Sequence, residues 1–246
     1  MSHRVLNLTE VASYLHLQEA DVSLLVKRRE IPHNQAGGQL KFRKAEIDRW
    51  ASRRLLDMNA KDLHAFHKES TAKAHDLSAG HALVPELMRP ELIRADLDVR
   101  TRAKLIRSIV DVAVSSHMVW DEDGLLEGVQ SREEERSTAL PCGVALLHPS
   151  QHEPYMFEDS FVVLARSASP LPFGCEDGGL TQLFFLVCSQ EDRIHLHLLA
   201  RLSMMCRNTD LVEELLEAYG EQEMFEALLR AEEEVMELLK KRVKRK

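Results

Sequence analysis

The chain has 246 residues, 44% of them hydrophobic, which is enough for one large domain or two modest ones. No run of about 18 apolar residues occurs, so no helical membrane span is expected, and the opening MSHRVLNLTE lacks the apolar stretch of a secretion signal. The net charge of −8 argues against a chain devoted wholly to nucleic acid, yet residues 1–56 hold ten Lys/Arg against six Asp/Glu, so a head of +4 precedes a body of −12.

The first elements read as helix, turn, helix, hairpin, helix. Thr9 can cap a helix over 10–15 through its hydroxyl. A second helix over 19–29 places Val22, Leu25 and Val26 on one face, and Pro32 stops its continuation. Gly37-Gly38 signals a hairpin turn, and Leu40-Lys41-Phe42-Arg43 alternates like a half-buried strand. A third helix over 44–56 is expected to bury Ile47 and Trp50. Residues 57–82 carry scattered Ala, His, Lys and Ser and read as a partly helical linker. His64 and His67 could meet a metal on a helix face, but no Cys or carboxylate cluster accompanies them, and solvent exposure accounts for them as well.

From residue 83 the pattern becomes α/β. A helix over 101–115 buries Leu105, Ile109, Val112 and Ala113, and a shorter one follows Asp121 with Leu125, Leu126 and Val129. Strands are expected over 143–147, 161–166 and 183–188. The last is apolar at every position, as a central strand covered on both faces would be. Helices over 192–205, 210–219 and 221–246 complete the chain. The apolar stripe of the last, from Phe225 to Leu239, suits packing on its own domain or on a second copy of the chain, so a homo-oligomer is among the expected partners. Its KKRVKRK end complements a helix dipole or offers non-specific contact to nucleic acid. The four cysteines, Cys142, Cys175, Cys188 and Cys206, lack CxxC spacing, so a reduced, cytoplasmic chain is expected.

LNLTEVASYLHLQEADVSLLVKRREIPHNQAGGQLKFRKAEIDRW, residues 6–50, resembles the excisionase-type branch of the MerR-like winged-helix family. The resemblance implies DNA binding, with the second helix in the major groove and the wing on the backbone. Ser23, Lys27 and Arg28 on that helix, and Lys41 and Arg43 on the wing, are the expected DNA contacts. Lys27, Arg28 and Arg29 equally suit a helix C-terminus on electrostatic grounds alone. The sequence departs from the family at Ser23-Leu24, where an aromatic and a basic residue are common, and at Glu30, where glycine is usual.

REEERSTALPCGVALLH, residues 132–148, is similar without a gap to the enzyme IIA signature of the fructose, mannitol and nitrogen-regulatory branch of the phosphotransferase system, commonly REELGSTGIGNGVAIPH. LVPELMRPELIRADL, PLPFGCEDGGLTQLFFLVCSQED and HLHLLARL match further segments of that family in order. The resemblance implies that His148 carries a phosphoryl group, with His195 and Arg132 beside it, and that a histidine phosphocarrier protein is the donor. A neutral imidazole attacks phosphorus well near neutral pH, a guanidinium steadies the oxygens, and transfer needs alignment more than covalent help. No cofactor or metal is expected: on a helix His195 and His197 point roughly 200° apart, and Cys142 lacks companion ligands.

Departures cluster at the signature. Arg136 replaces a glycine, Ala139-Leu140-Pro141-Cys142 replaces GIGN, and Leu147 replaces the proline before the histidine. The expected architecture is α/β: a small winged-helix domain over 1–56, a linker over 57–82, and over 83–246 a mixed β-sheet flanked by helices. The expected function is a regulatory phosphocarrier that couples phosphohistidine to DNA binding and transcription. The alternative is a non-catalytic docking module of the same fold.

Overall fold

The structure, a computed structural model, describes residues 4–15, 17–59, 62–63, 84–150 and 154–243. Most of the expected linker, with His64 and His67, lies outside these residues.

The N-terminal module holds three helices and a small sheet. Helix α1 (Leu8–Tyr14) is capped by Asn7 and not by Thr9. Asn7 accepts from the Glu10 amide at 2.9 Å while Glu10 accepts from the Asn7 amide at 2.8 Å. The three-residue spacing of Asn7 and Glu10 closes this reciprocal box, and Thr9 sits inside the helix. Helix α2 (Glu19–Lys27) buries Val22 and Leu25. Strands β2 (Asn34–Ala36) and β3 (Gln39–Arg43) turn through Gly37 and Gly38, both at positive φ, as a tight two-residue hairpin requires. A strand not expected from the sequence, β1 (Val5–Leu6), pairs antiparallel with β3. Helix α3 (Lys44–Asp57) buries Ile47, Ala51 and Leu55 in the module. Trp50 is only half-buried, contrary to expectation: its indole donates to the Glu30 carbonyl at 2.6 Å and the Arg54 guanidinium lies over its ring.

The larger module is a mixed five-stranded sheet in the order β4-β7-β8-β6-β5. Its strands are β4 (Ile93–Leu97), β5 (Ala139–Leu140), β6 (Val144–Leu147), β7 (Phe161–Leu171) and β8 (Thr181–Cys188). Two of them, β4 and β5, lacked a sequence signal; they are sheet edges, and β5 is two residues long. The central β8 pairs parallel with β6 and antiparallel with β7. Its uninterrupted apolar run follows from its position. Leu183, Phe185 and Val187 enter one core, while Phe184, Leu186 and Cys188 enter the other.

Helices α4 (Arg102–Val114), capped by Thr101, and α5 (Glu122–Glu135), capped by Asp121, cover one face. Helix α5 is not the shorter of the two; it runs on through Arg132. The other face carries α6 (Asp192–Asn208), α7 (Leu211–Glu217) and α8 (Glu221–Val243). The stripe of α8 packs on this domain through Met224, Leu228, Val235 and Leu239. Helix α6 touches β6, β8, α8 and also α3 of the small module. It is therefore buried nearly all round from His195 to Cys206, and one buried cluster runs from Val11 and Phe42 to Leu183 and Val187. Within it, Arg201 of α6 donates to Glu232 of α8 at 2.5 Å with both side chains fully buried.

Candidate functional site

Three sequence-distant residues meet at the C-terminal end of β6. His148 directly follows the strand, Arg132 stands in the last turn of α5, and His195 stands near the start of α6. Each is buried: His148 and His195 are 1% exposed and Arg132 4%. The His148 and His195 rings lie 4.9 Å apart between centroids, tilted by 56°.

The hydrogen bonds fix which imidazole nitrogen is available. His148 Nδ1 lies 2.8 Å from the Leu146 carbonyl, which can only accept, so Nδ1 carries the proton. Arg132 Nε, which can only donate, lies 3.1 Å from His148 Nε2, so Nε2 presents its lone pair. Arg132 is itself held by a bond from Nη1 to the Arg136 carbonyl at 2.8 Å. Burial lowers the Arg132 pKa and neighbouring Glu133 opposes the fall; a guanidinium remains charged in proteins.

Glu133, next in α5, shapes the loop that follows. Its carboxylate accepts from the Thr138 amide at 3.1 Å, from the Thr138 hydroxyl, and from Arg102 at 2.8 Å. Burial raises its pKa, and the Thr138 hydroxyl and Arg102 oppose the rise. The departures from the family pattern have visible consequences here. Leu147 continues β6 and pairs with Leu186 where a proline could not donate to a ladder. Gly143 of the GVA segment adopts φ +80, which a side chain would oppose. Arg136 caps the end of α5 and reaches Asp57 of α3 at 2.9 Å and 3.2 Å, and also Glu176.

The small module meets this site directly. Ser52 of α3, 2% exposed, places its Oγ 3.4 Å from His195 Nε2. Arg49 of α3 pairs with Glu135 at 2.6 Å. Arg207 of α6 donates to the Leu56 and Met58 carbonyls at 2.7 Å and 2.6 Å, satisfying the open end of α3. A cavity of about 200 Å³ that Arg132 helps to line also carries Arg53, Arg136 and Arg207, with Asp57 among them. Ser52, Arg53 and Asp57 carried no sequence signal, because their partners lie on a different module.

Of the expected DNA contacts, Lys27 and Arg28 are exposed at the end of α2, and Ser23 is half-buried on the same helix. Lys41 and Arg43 are exposed on β3, opposite buried Phe42. Arg43 also lies 3.4 Å from Glu46. The residue in left-handed backbone after α2 is Arg29, at φ 58, and not Glu30. Among the described residues no three His, Cys, Asp or Glu side chains gather to hold a metal ion, and the four cysteines are unpaired. No helix among them is long and apolar enough to cross a membrane.

Residues 86–231 match the family model of the phosphoenolpyruvate-dependent sugar phosphotransferase system, EIIA 2, and residues 5–55 match that of a helix-turn-helix domain. A fructose-specific EIIA component of Haloferax volcanii is 30% identical over 142 residues, covering 56% of this chain and 89% of that protein. A nitrogen regulatory protein of Bradyrhizobium diazoefficiens is 26% identical over 59% of this chain and 94% of its own length. The chain spans only 22% of a fructose-specific EIIABC component of Bacillus subtilis, to which it is 24% identical. In fold, the sheet domain is similar to the nitrogen regulatory protein IIA-Ntr of Neisseria meningitidis, with a TM-score of 0.54 at 21% identity, over 60% of this chain and 99% of that one. It is similar also to IIA mannitol of Escherichia coli, with a TM-score of 0.51 at 18% identity, over 57% and 97%.

Proposed function

Because the chain belongs to the phosphotransferase-system EIIA 2 family, we propose that it is a regulatory phosphocarrier: His148 takes a phosphoryl group from a histidine phosphocarrier protein in the cytoplasm, and that state governs DNA binding by the helix-turn-helix module. The observation that carries the reading is the pairing of His148 Nε2 with Arg132 Nε beside His195. As the Arg132 Nε–H turns from Nε2 to the phosphoryl oxygens, the freed Nε2 lone pair forms the new P–N bond while the donor's P–N bond breaks and its electron pair returns to the donor nitrogen. The proton stays on Nδ1, which donates it to the Leu146 carbonyl, so no proton need move. Arg132 offers charge to the phosphoryl oxygens, and His195 offers a hydrogen bond.

The test is incubation with phosphoenolpyruvate, enzyme I and a histidine phosphocarrier protein, followed by intact mass. The expected result is an acid-labile gain of one phosphoryl group that disappears in His148→Ala. DNA affinity of the two forms, compared at fixed salt, then tests the coupling; equal affinities would sink it.

A second reading, a docking module without phosphotransfer, draws on Arg136. In this chain it bridges to Asp57 and Glu176 at a position where the family has glycine. That reading expects His148→Ala to leave regulatory output intact.

A further inference from the structure

We propose that helix α3 occupies the face through which a phosphoryl donor must reach His148, so that the donor protein and the helix-turn-helix module compete for one surface and transfer requires the modules to part. The inference rests on the phosphocarrier reading and concerns the regulation of its site.

Direct transfer brings the reacting atoms to about 3–3.5 Å. A donor protein can achieve that only if the acceptor nitrogen lies at an open surface. His148 and His195 are each 1% exposed, and the group standing against His195 Nε2 is Ser52 of α3. The closure is held at three further points. Arg49 pairs with Glu135, Asp57 pairs with Arg136, and Arg207 binds the last carbonyls of α3. These contacts ring the site: Glu135 and Arg136 follow Arg132 at the end of α5, and Arg207 lines the same cavity as Arg132.

The charges on this face suit an anionic visitor. Arg53, Arg132, Arg136 and Arg207 line the cavity, and Asp57 supplies the negative charge that faces Arg136. Helix α3 thus already places one carboxylate in the arginine-lined cavity. The ion pairs at the rim of the closed form are partly exposed, with Arg49 and Glu135 41% and 37% exposed, while α3 and α6 share one buried apolar cluster beneath them. Such pairs contribute little each, so the apolar contact of α3 with α6 sets the cost of parting the modules, and the open form is the minor one that a donor must capture. An incoming donor can replace them with its own contacts to the same arginines, and the module released is the one expected to read DNA.

Two kinds of full-chain variant test the gate. Ser52→Arg overfills the contact with His195 and is expected to raise the phosphorylation rate from the histidine phosphocarrier protein about tenfold. Arg49→Glu opposes Glu135 and is expected to raise it less; adding Glu135→Arg restores the pair and is expected to bring the rate back. This reversal separates opening from loss of structure in α3. In parallel, modification of His148 by diethyl pyrocarbonate, mapped by peptide mass, reports access without any donor. The expected pattern is slow modification in the wild type, faster in the two opened forms, and slow again in the re-paired one. Wild-type His148 that modifies as fast as the opened forms would overturn the proposal. Phosphorylation rates unchanged across the series, with wild-type transfer present, would overturn it as well. If access follows the series but no form takes up phosphate, occlusion stands and the phosphocarrier reading is the one that fails.

Discussion

Arg132 meets His148 through Nε, at 3.1 Å from His148 Nε2, while its Nη1 is tied to the Arg136 carbonyl. The guanidinium is thus anchored at one edge and turned along another toward the nitrogen that would carry phosphate. Arg132→Lys keeps the charge but gives up this planar, two-edged geometry. Phosphorylation of His148 is expected to slow about a hundredfold or more in Arg132→Met, as for removal of a fixed charge donor, and Arg132→Lys is expected to recover only part of the rate. Initial rates of acid-labile phosphate incorporation check this; a lysine variant as fast as wild type would show that charge alone suffices.

Glu133 links stability to pH. Burial holds its folded-state pKa above the ordinary value of 4.5, so the native chain binds this proton more tightly than the unfolded chain does. The group therefore favours folding most fully at acid pH, and its contribution falls as pH rises from 4.5 through the folded pKa. Chemical denaturation of wild type and Glu133→Gln over that window is expected to diverge in this direction. Parallel curves would mean that Thr138 and Arg102 fully offset the burial.

The fully buried pair Arg201–Glu232 joins α6 to α8, and Glu232 also accepts from the Val84 amide at 3.0 Å. Glu232→Ala leaves a buried guanidinium without its carboxylate and is expected to cost about 3–5 kcal/mol. Replacing both partners by apolar residues, Arg201→Met with Glu232→Leu, is expected to cost much less. Thermal and urea unfolding measure both; equal losses would place the pair's value in packing rather than charge.

For the helix-turn-helix module, Lys27→Ala, Arg28→Ala, Lys41→Ala and Arg43→Ala are each expected to weaken DNA binding evenly across sequences. Removing one cation from a phosphate is expected to lower the salt slope by about 0.9. Titrations at several salt concentrations read the slope directly, and an unchanged slope removes that residue from the interface.

Much of this was legible in the sequence because the signals were local. The capped helices around Leu105 and Leu125, the hairpin at Gly37-Gly38 and the central strand from Leu183 to Cys188 each state their position in periodicity or turn chemistry. Edge strands did not: Val5–Leu6 and Ala139–Leu140 are too short to show alternation, and their pairing is decided by partners elsewhere. At the site, the gapless signature brought forward Arg132 and His148, and the order of motifs brought forward His195. Ser52 and Asp57 stayed hidden. A serine on a helix face and an acid at a helix end carry no mark of a partner 143 or 79 residues away.

The bridge between Arg136 and Asp57 has a consequence for descent. Arg136 stands where the enzyme IIA signature commonly has a glycine, and its partner belongs to the helix-turn-helix module. Homologues that carry both modules are expected to retain an arginine–acid couple at these two positions, and those that have shed the helix-turn-helix module are expected to drift back to a small residue in the loop.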